Sequence, residues 1–243
     1  MTEPPVRDDM YMELARLAGG LAHEIKNPLS AIKLNLNLLA EEFQRSGQDD
    51  SRNLRRLRRV QDEVQRLHDT LEEFLRFVGN QELRVTDTDL RRLVEELVDF
   101  FRPQAEAAHV VLRVALPDRP VPCRVDPVLI KQAVLNLMIN AVQAMSTPGD
   151  AAPGGELLVR LTADDGRADL EVIDTGPGVP PDLRERIFDA YFSTRPGGSG
   201  LGLPTTRRIV RRHHGEISID GGPGQGTRFL IRLPLAGGEG PPP

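Results

Sequence analysis

Apolar residues recur three and four apart at the start of the chain: Leu14, Leu17, Leu21, Ile25, Leu29, Ile32, Leu36 and Leu39. At about 100° per residue they form one broad stripe on a helix from roughly Met10 to Arg45. Leu21 and Ile25 bracket the direction opposite His23, so the His23 imidazole points to solvent. Asn27 lies within about 40° of it, and Glu24 sits at the edge between the two faces. Pro28 takes away the bond to the Glu24 carbonyl and predicts a bend, while Gly19 and Gly20 cost the helix some stability. Ser46 to Ser51, SGQDDS, reads as a turn. A second stripe follows: Leu54, Leu57, Val60 or Gln61, Val64, Leu67, Leu71, Phe74 and Val78. Its spacing is that of a coiled-coil seam. A hairpin of two such helices cannot bury its own stripe. Pairing two hairpins into an antiparallel four-helix bundle solves this, which predicts a homodimer through the hairpin; the alternative is a hairpin docked on the rest of its own chain.

Gly79-Asn80 ends the second helix, and the pattern beyond becomes mixed. Leu83 to Thr86 reads as a short strand, Leu90 to Ala108 as an amphipathic helix, and Val110 to Leu116 and Val121 to Val125 as strands. Asp126-Pro127 places an N-cap before a proline at the first helical position, opening a helix to about Met145. Glu156 to Thr162 and Ala168 to Ile173 follow as strands, then a Gly/Pro-rich loop, a helix from Leu203 to His213, and strands Glu216 to Ile219 and Gly226 to Leu233. Strands and helices interleave without βαβ regularity, which predicts helices on one face of a mixed sheet. The expected layout is a disordered lead-in at 1–10, the hairpin at 11–79, an α/β sandwich at 80–236 and a flexible tail at 237–243.

Composition narrows the class. The chain has 243 residues, 39% hydrophobic and 28% charged, with no tryptophan, as in a globular protein packed largely by leucine and valine. A net charge of −5 gives no bulk attraction to nucleic acid, and the basic run from Arg52 to Arg59 reads as a solvated helix face. The lone Cys123 excludes an internal disulfide and reads as a buried thiol in a reducing compartment. No run approaches the roughly 18 apolar residues of a membrane span, and MTEPPVRDDMY lacks the pattern of a secretory signal. The expected location is the cytoplasm.

Several short motifs carry candidate chemistry. An exposed His23 followed by a carboxylate, with an amide one turn on and a helix-weakening proline, points to a reactive histidine. A zinc-protease HExxH is excluded because Asn27 stands where the second histidine belongs. Asn136 and Asn140 are i and i+4 on one helix face, and amide oxygens suit a hard cation such as Mg²⁺, which takes further ligands from phosphate and water. In DTGPGVP, residues 174–180, Asp174 follows a strand directly and can accept from an exocyclic amine such as adenine's. Gly176 and Gly178 let the backbone approach a flat ring. GGSGLGL, residues 197–203, leads into a helix and offers N–H groups to phosphate, though it is neither a P-loop nor a dinucleotide fingerprint. Between them IFDAYFSTRPG supplies aromatic anchors (Phe188, Tyr191 and Phe192) and the cation Arg195, in the manner of a mobile lid.

In this order and spacing the motifs resemble those of two-component sensor histidine kinases with a GHKL-type ATP-binding domain, over about Ala15 to Leu235. HEIKNPL resembles the H box, NLMINAVQA the N box, DTGPGVP and GSGLGL two glycine boxes, and GQGTRF the last one. HEIKNPL, FSTR and a short lid look most like the nitrogen-regulation, NtrB-like type.

The resemblance implies an α+β protein: a dimeric four-helix bundle followed by an α/β sandwich that binds ATP and Mg²⁺. His23 would be the phosphoacceptor, Glu24 the base that polarises it, and Asn27 a contact to the γ-phosphate or to a water in the reverse reaction. Asn140 would bind Mg²⁺, with Asn136 near the phosphates, Asp174 on the adenine amine and Thr227 nearby. Gly176, Gly178, Gly198, Gly200, Leu201 and Gly202 would shape pocket and lid, with Arg195 as the lid cation. The partner implied is a response-regulator receiver domain whose aspartate accepts the phosphoryl group. Arg195 stands where relatives often carry lysine, and Ala190 where proline is common. About ten residues precede the first helix, so the expected input is either a domain removed from this chain or a separate sensor protein. Two other readings stay open: a GHKL-type ATPase that drives conformational change, and a phosphatase or scaffold without autokinase activity.

Overall fold

The computed structural model describes residues 29–30, 32–39, 41, 55, 57–65, 67, 71, 82–146, 155–164, 166–195 and 199–237. The chain divides into two compact units, Met1–Glu82 and Leu83–Pro243. The predicted lead-in, the SGQDDS turn, the Gly79-Asn80 break and His23, Glu24 and Asn27 all lie outside the described residues.

In the first unit, residues 29–30, 32–39 and 41 are helical, and so are 55, 57–65, 67 and 71. Gln61 Nε2 donates to Asn37 Oδ1 at 2.8 Å, and Lys33 Nζ donates to Gln65 Oε1. Residues 33 and 37 thus pair with 65 and 61, which makes the helices antiparallel. Leu57 and Val64 are buried between them. Ile32, Leu34, Leu38, Leu39, Val60 and Leu67 are exposed in the single chain. The hairpin covers only part of its own apolar surface, as its narrow stripes predict.

The second unit is a sheet with helices on one face. Its elements are β1 (Thr86–Asp89), α1 (Leu90–Ala107), β2 (Val111–Ala115), β3 (Pro122–Val125), α2 (Pro127–Met145), β4 (Glu156–Asp164), β5 (Arg167–Asp174), α3 (Gly202–Arg212), β6 (Glu216–Gly221) and β7 (Thr227–Pro234), with two short 3₁₀ turns at Pro181–Leu183 and Arg186–Phe188. The main sheet runs β2-β4-β5-β7-β6, and β1 pairs separately with β3. Only β2 and β4 are parallel; the other pairs are antiparallel. On α1, Leu90, Leu93, Val94, Leu97, Val98, Phe101 and Ala105 are buried at the spacing of one helix face. They meet Leu157, Val159, Leu161, Leu170, Val172, Phe229 and Ile231, the inward positions of β4, β5 and β7, in one core.

Polar groups close the element ends. The Asp89 carboxylate caps α1 through Arg91 N–H at 3.1 Å and also takes Val121 N–H at 2.9 Å. Asp126 caps α2 through the amides of Val128 (3.0 Å) and Leu129 (3.2 Å), with Pro127 in the first turn, as the Asp-Pro pair predicts. The other Asp126 oxygen takes the Arg84 amide at 2.9 Å. That bond shows why the short strand lies later than Leu83–Thr86. Residues 82–85 form a strap tied to the α2 cap, and pairing begins only at Thr86 opposite Val125.

The sheet's other face is polar and carries ion pairs across the strands. Arg113 meets Glu156 at 2.8 Å, Arg160 meets Glu171 at 3.2 Å, and Arg232 meets Asp169 at 3.3 Å. Arg228 also pairs with Glu171, which is only 4% exposed. Leu158, Ile173 and Leu230 sit among these charges in the alternation of the same strands.

The other elements predicted after residue 89 are found within two residues of their expected ends; the ends of the two hairpin helices lie outside the described residues. One expectation needs correcting. α2 is long and apolar enough to cross a membrane by length and composition. In the fold it is a core helix: Ile130, Ala133, Val134, Leu137 and Met138 are at most 1% exposed. Cys123 is buried as expected, and burial pushes its thiol up to about 12.

Two helices end on a histidine in the left-handed region, His109 (φ 57°) after α1 and His214 (φ 56°) after α3. In each case the next residue's N–H closes the turn, Val110 on Ala105 O at 2.9 Å and Gly215 on Val210 O at 3.0 Å, the bonding that usually selects glycine. A side chain in that region costs about 1 kcal/mol. His109→Gly and His214→Gly should therefore each raise stability by about 1 kcal/mol, additively, because they end different helices. Urea unfolding of the two single variants and the double variant measures this.

Candidate functional site

α2 supplies one wall of the site. Its buried side, Ile130, Val134, Leu137, Met138 and Ala141, faces the core, whereas Asn136 and Asn140 are half-buried and Gln143 is exposed. Asn136 Nδ2 donates to the Gly202 carbonyl at 3.3 Å, which also accepts from Thr206 Oγ1 at 2.9 Å. The N-terminus of α3, with the glycine motif that leads into it, is thereby fastened beside the asparagines. Leu201 is fully buried and anchors that motif, while Gly200 and Gly202 are half-buried. Gly198 lies outside the described residues.

The floor is Asp174, at the end of β5 and 4% exposed. Its Oδ1 accepts from Gly176 N–H at 2.8 Å, and the Thr227 side chain and main chain also bond the carboxylate. Thr227 is thus next to Asp174, in the antiparallel register Asp174↔Thr227. Burial pushes the Asp174 pKa up; the bonds from Gly176 and Thr227 and the charge of Arg195 oppose that shift without reversing it.

The turn after Asp174 is built around absent side chains. A Cβ on Gly178 (φ 76°) would lie 1.9 Å from the Gly222 carbonyl oxygen, and one on Gly226 (φ 76°) would lie 2.0 Å from the Asp174 carbonyl oxygen. Gly224 N–H closes the contact on Pro177 O at 2.7 Å. The loop 221–226 therefore interlocks with the 174–180 turn. Gly176 lies against the last turn of α2, where a Cβ would be 3.4 Å from Ala144 Cβ.

Arg195 joins the two walls. Its Nη1 donates to Gln143 Oε1 at 2.8 Å and its Nη2 to the Asn140 carbonyl at 2.7 Å. Burial lowers its pKa and the Asp174 charge raises it. Of the predicted lid anchors, Phe188 meets Phe229 edge-on at 6.5 Å, and Phe192 lies under the Arg186 guanidinium at 4.6 Å. Tyr191 departs from the expectation. The residue is 63% exposed, and its main chain, at φ 65°, donates its N–H to Gly200 O at 3.1 Å.

Contacts thus join Asn136 to Gly202, Asn140 to Arg195, and Asp174 to Gly176, Thr227 and the charge of Arg195 in one polar site, with Gly178, Gly200 and Leu201 behind it. Two contributors escaped the motif reading, Gln143 and the loop at Gly222. Gln143 lies three residues after Asn140 and seven after Asn136, hence on the same helix face; that spacing could have found it. Gly222 acts through its carbonyl, which no residue type advertises. The arrangement offers a buried carboxylate acceptor beside a flat glycine turn, two amides, a guanidinium and a helix N-terminus. Together these fit a purine at one end and phosphates at the other.

Comparison with known proteins agrees with this geometry. Residues 125–237 match the family described as histidine kinase-, DNA gyrase B- and HSP90-like ATPase, and residues 13–83 match the His Kinase A (phospho-acceptor) domain. The sensor histidine kinase ZraS of Klebsiella oxytoca is 33% identical over 239 residues, 98% of this chain and 49% of that protein. The chain thus spans about half the length of the curated relatives it matches. The full-length structure of ShkA in complex with AMPPNP is 26% identical with a TM-score of 0.74, covering 91% of this chain and 46% of that one. The histidine kinase ThkA, solved in complex with the response regulator protein TrrA, shares the fold at 19% identity and a TM-score of 0.64, over 97% of this chain and 68% of that chain. Sheet order and both domain matches lead to one assignment: the chain carries a His Kinase A (phospho-acceptor) domain and a histidine kinase-like ATPase domain.

Proposed function

We propose that the chain is an ATP-dependent protein histidine kinase that phosphorylates His23 and passes the phosphoryl group to an aspartate of a response regulator. The observation that carries this reading is the polar site between Asp174 and Arg195, on a chain that also matches the phospho-acceptor domain. Residues 11–79 would be the dimerising, histidine-bearing hairpin and 80–236 the catalytic unit. The exposed stripe Ile32, Leu39, Val60 and Leu67 supports a homodimer, since a second hairpin would cover it.

In this reading Asp174 accepts from the adenine amine, the 176–178 turn lies against the ring, and Arg195 with the α3 N-terminus faces the phosphates. A His23 ring nitrogen attacks the γ-phosphorus in line; the N–P bond forms as the bond to the β-bridging oxygen breaks, and ADP leaves. Glu24 accepts from the other ring nitrogen and fixes the reactive tautomer. Asn27 orients the γ-phosphate, and Asn136 supports the phosphate wall through Gly202. Among the described residues no cluster of three His, Cys, Asp or Glu side chains could hold a metal on its own. A divalent ion would therefore arrive with the nucleotide, and the Asn140 amide oxygen suits Mg²⁺, which takes its other ligands from phosphate and water. When bound, Mg²⁺ supplies neutralisation of the phosphate charge. The HEIKNPL and FSTR motifs and the short lid favour the nitrogen-regulation, NtrB-like type. A buried reduced thiol at Cys123 and ATP as substrate favour a cytoplasmic catalytic unit.

Incubation with γ-labelled ATP and Mg²⁺ should give an acid-labile, base-stable label. His23→Gln should abolish it while nucleotide binding persists; full labelling of that variant would overturn the assignment.

A second expectation concerns Asp174, a carboxylate bonded to a ligand amine. Its loss costs about ten- to a hundredfold in affinity, so Asp174→Asn should weaken adenine-nucleotide binding by that factor. Because burial raises the Asp174 pKa, its ionisation opposes folding, and the stability it provides when protonated is lost as pH rises through the folded value. Asp174→Asn should accordingly match or exceed the unmodified chain in melting temperature at neutral pH, and that advantage should shrink in acid. Calorimetry across pH checks the sign.

A further inference from the structure

α3 is pinned to α2 at both of its own ends. At the site, Asn136 Nδ2 donates to Gly202 O at 3.3 Å; at the far end, the Asp126 N–H donates to His213 Nε2 at 2.9 Å. Ten residues separate Asp126 from Asn136, and eleven separate Gly202 from His213. At about 1.5 Å per residue these are spans of about 15 and 16.5 Å. The two helices are therefore antiparallel, with matched lengths between pins.

The far pin depends on a neutral imidazole. His213 is 3% exposed, and its Nδ1 lies 2.8 Å from the Ile209 carbonyl. A ring that faces a carbonyl on one side and an N–H on the other carries its proton on Nδ1 and accepts at Nε2. Burial pushes the His213 pKa down; the Ile209 carbonyl and the Asp126 charge oppose this, while Arg212 and His214 add to it. The Asp126 carboxylate is already engaged by the amides of Arg84, Val128 and Leu129. A proton arriving on Nε2 would face the Asp126 N–H, donor against donor, and the pin would open.

We propose that His213 is a positioning residue for the nucleotide site: as the neutral acceptor at the far end of the α2–α3 pair, it holds Asn136 in reach of Gly202, and its protonation releases that hold. The inference rests on the reading of the polar site as a nucleotide site. Asn136 stands on the phosphate wall and Gly202 opens the helix behind it, so a slip between the helices moves both sides of the phosphate end at once. The adenine end, built on β5 and β7, is not carried by these pins.

The test uses the whole chain and a non-hydrolysable ATP analogue with Mg²⁺. Its dissociation constant is measured at about pH 7.5 and at steps down to about pH 4.5, well below the ordinary imidazole value because burial lowers that of His213, for the unmodified chain, His213→Gln and His213→Phe. Glutamine can accept from the Asp126 N–H without titrating; phenylalanine cannot accept. Affinity of the unmodified chain should fall between the two ends of that range by about three- to tenfold more than that of His213→Gln, the worth of one hydrogen bond. His213→Phe should already be weakened by a similar factor at the higher pH. Binding with one shared pH profile for the unmodified chain and His213→Gln overturns the inference alone. No binding by the unmodified chain at the higher pH overturns the nucleotide reading, and this inference with it. Should neither variant fold, imidazole ¹⁵N shifts of the unmodified chain decide: a proton on Nδ1 is expected, and one on Nε2 overturns the pin.

Discussion

Asp126 joins three parts of the catalytic unit through one residue. Its carboxylate supplies an acceptor for the first amides of α2, which have no partner within the helix, and for the Arg84 amide of the strap that enters from residue 82. Its own N–H is taken by the buried His213. The start of α2 is thereby fixed, and everything α2 presents further along, from Asn136 to Gln143, inherits that placement. The buried face of α2, from Leu129 to Val142, sets its rotation about its axis, and the polar bonds at its start fix where that face begins.

The polar site is shaped by main chain more than by side chains. Asp174 is held by amides and by Thr227, the turn after it is backed by Gly222 and Gly226, and Tyr191 contributes its N–H. Arg195 closes the other end from its loop, through two hydrogen bonds to α2.

Much of this was legible in the residues. The Asp126-Pro127 start of α2, the α1 stripe and the alternation of β4, β5 and β7 each follow from a local rule, and the fold obeys them. The tight bend after Asp174 was legible because paired glycines directly after a strand mark a turn. The misplacement of β1 has a clear cause: the apolar Leu83 and Val85 belong to the strap, and the strand itself reads TDTD, a pattern without apolar alternation. Gln143, the Gly222 carbonyl and the Asp126–His213 bond were not legible. Each depends on which distant segment lies opposite, and that is set by tertiary packing rather than by local pattern.

The outward face of the sheet limits what can lie over it. Glu171 sits between Arg160 and Arg228, and Arg113, Glu156, Asp169 and Arg232 extend the charges over neighbouring strands. The arginine stems can shelter Leu158, Ile173 and Leu230 while the guanidinium groups stay in water. A second sheet stacked on this face would strip solvent from these ions, and desolvating such charges costs several kcal/mol each. The domain is thus restricted to two layers by charge rather than by shape. In a crowded cell this also guards against sheet-on-sheet aggregation.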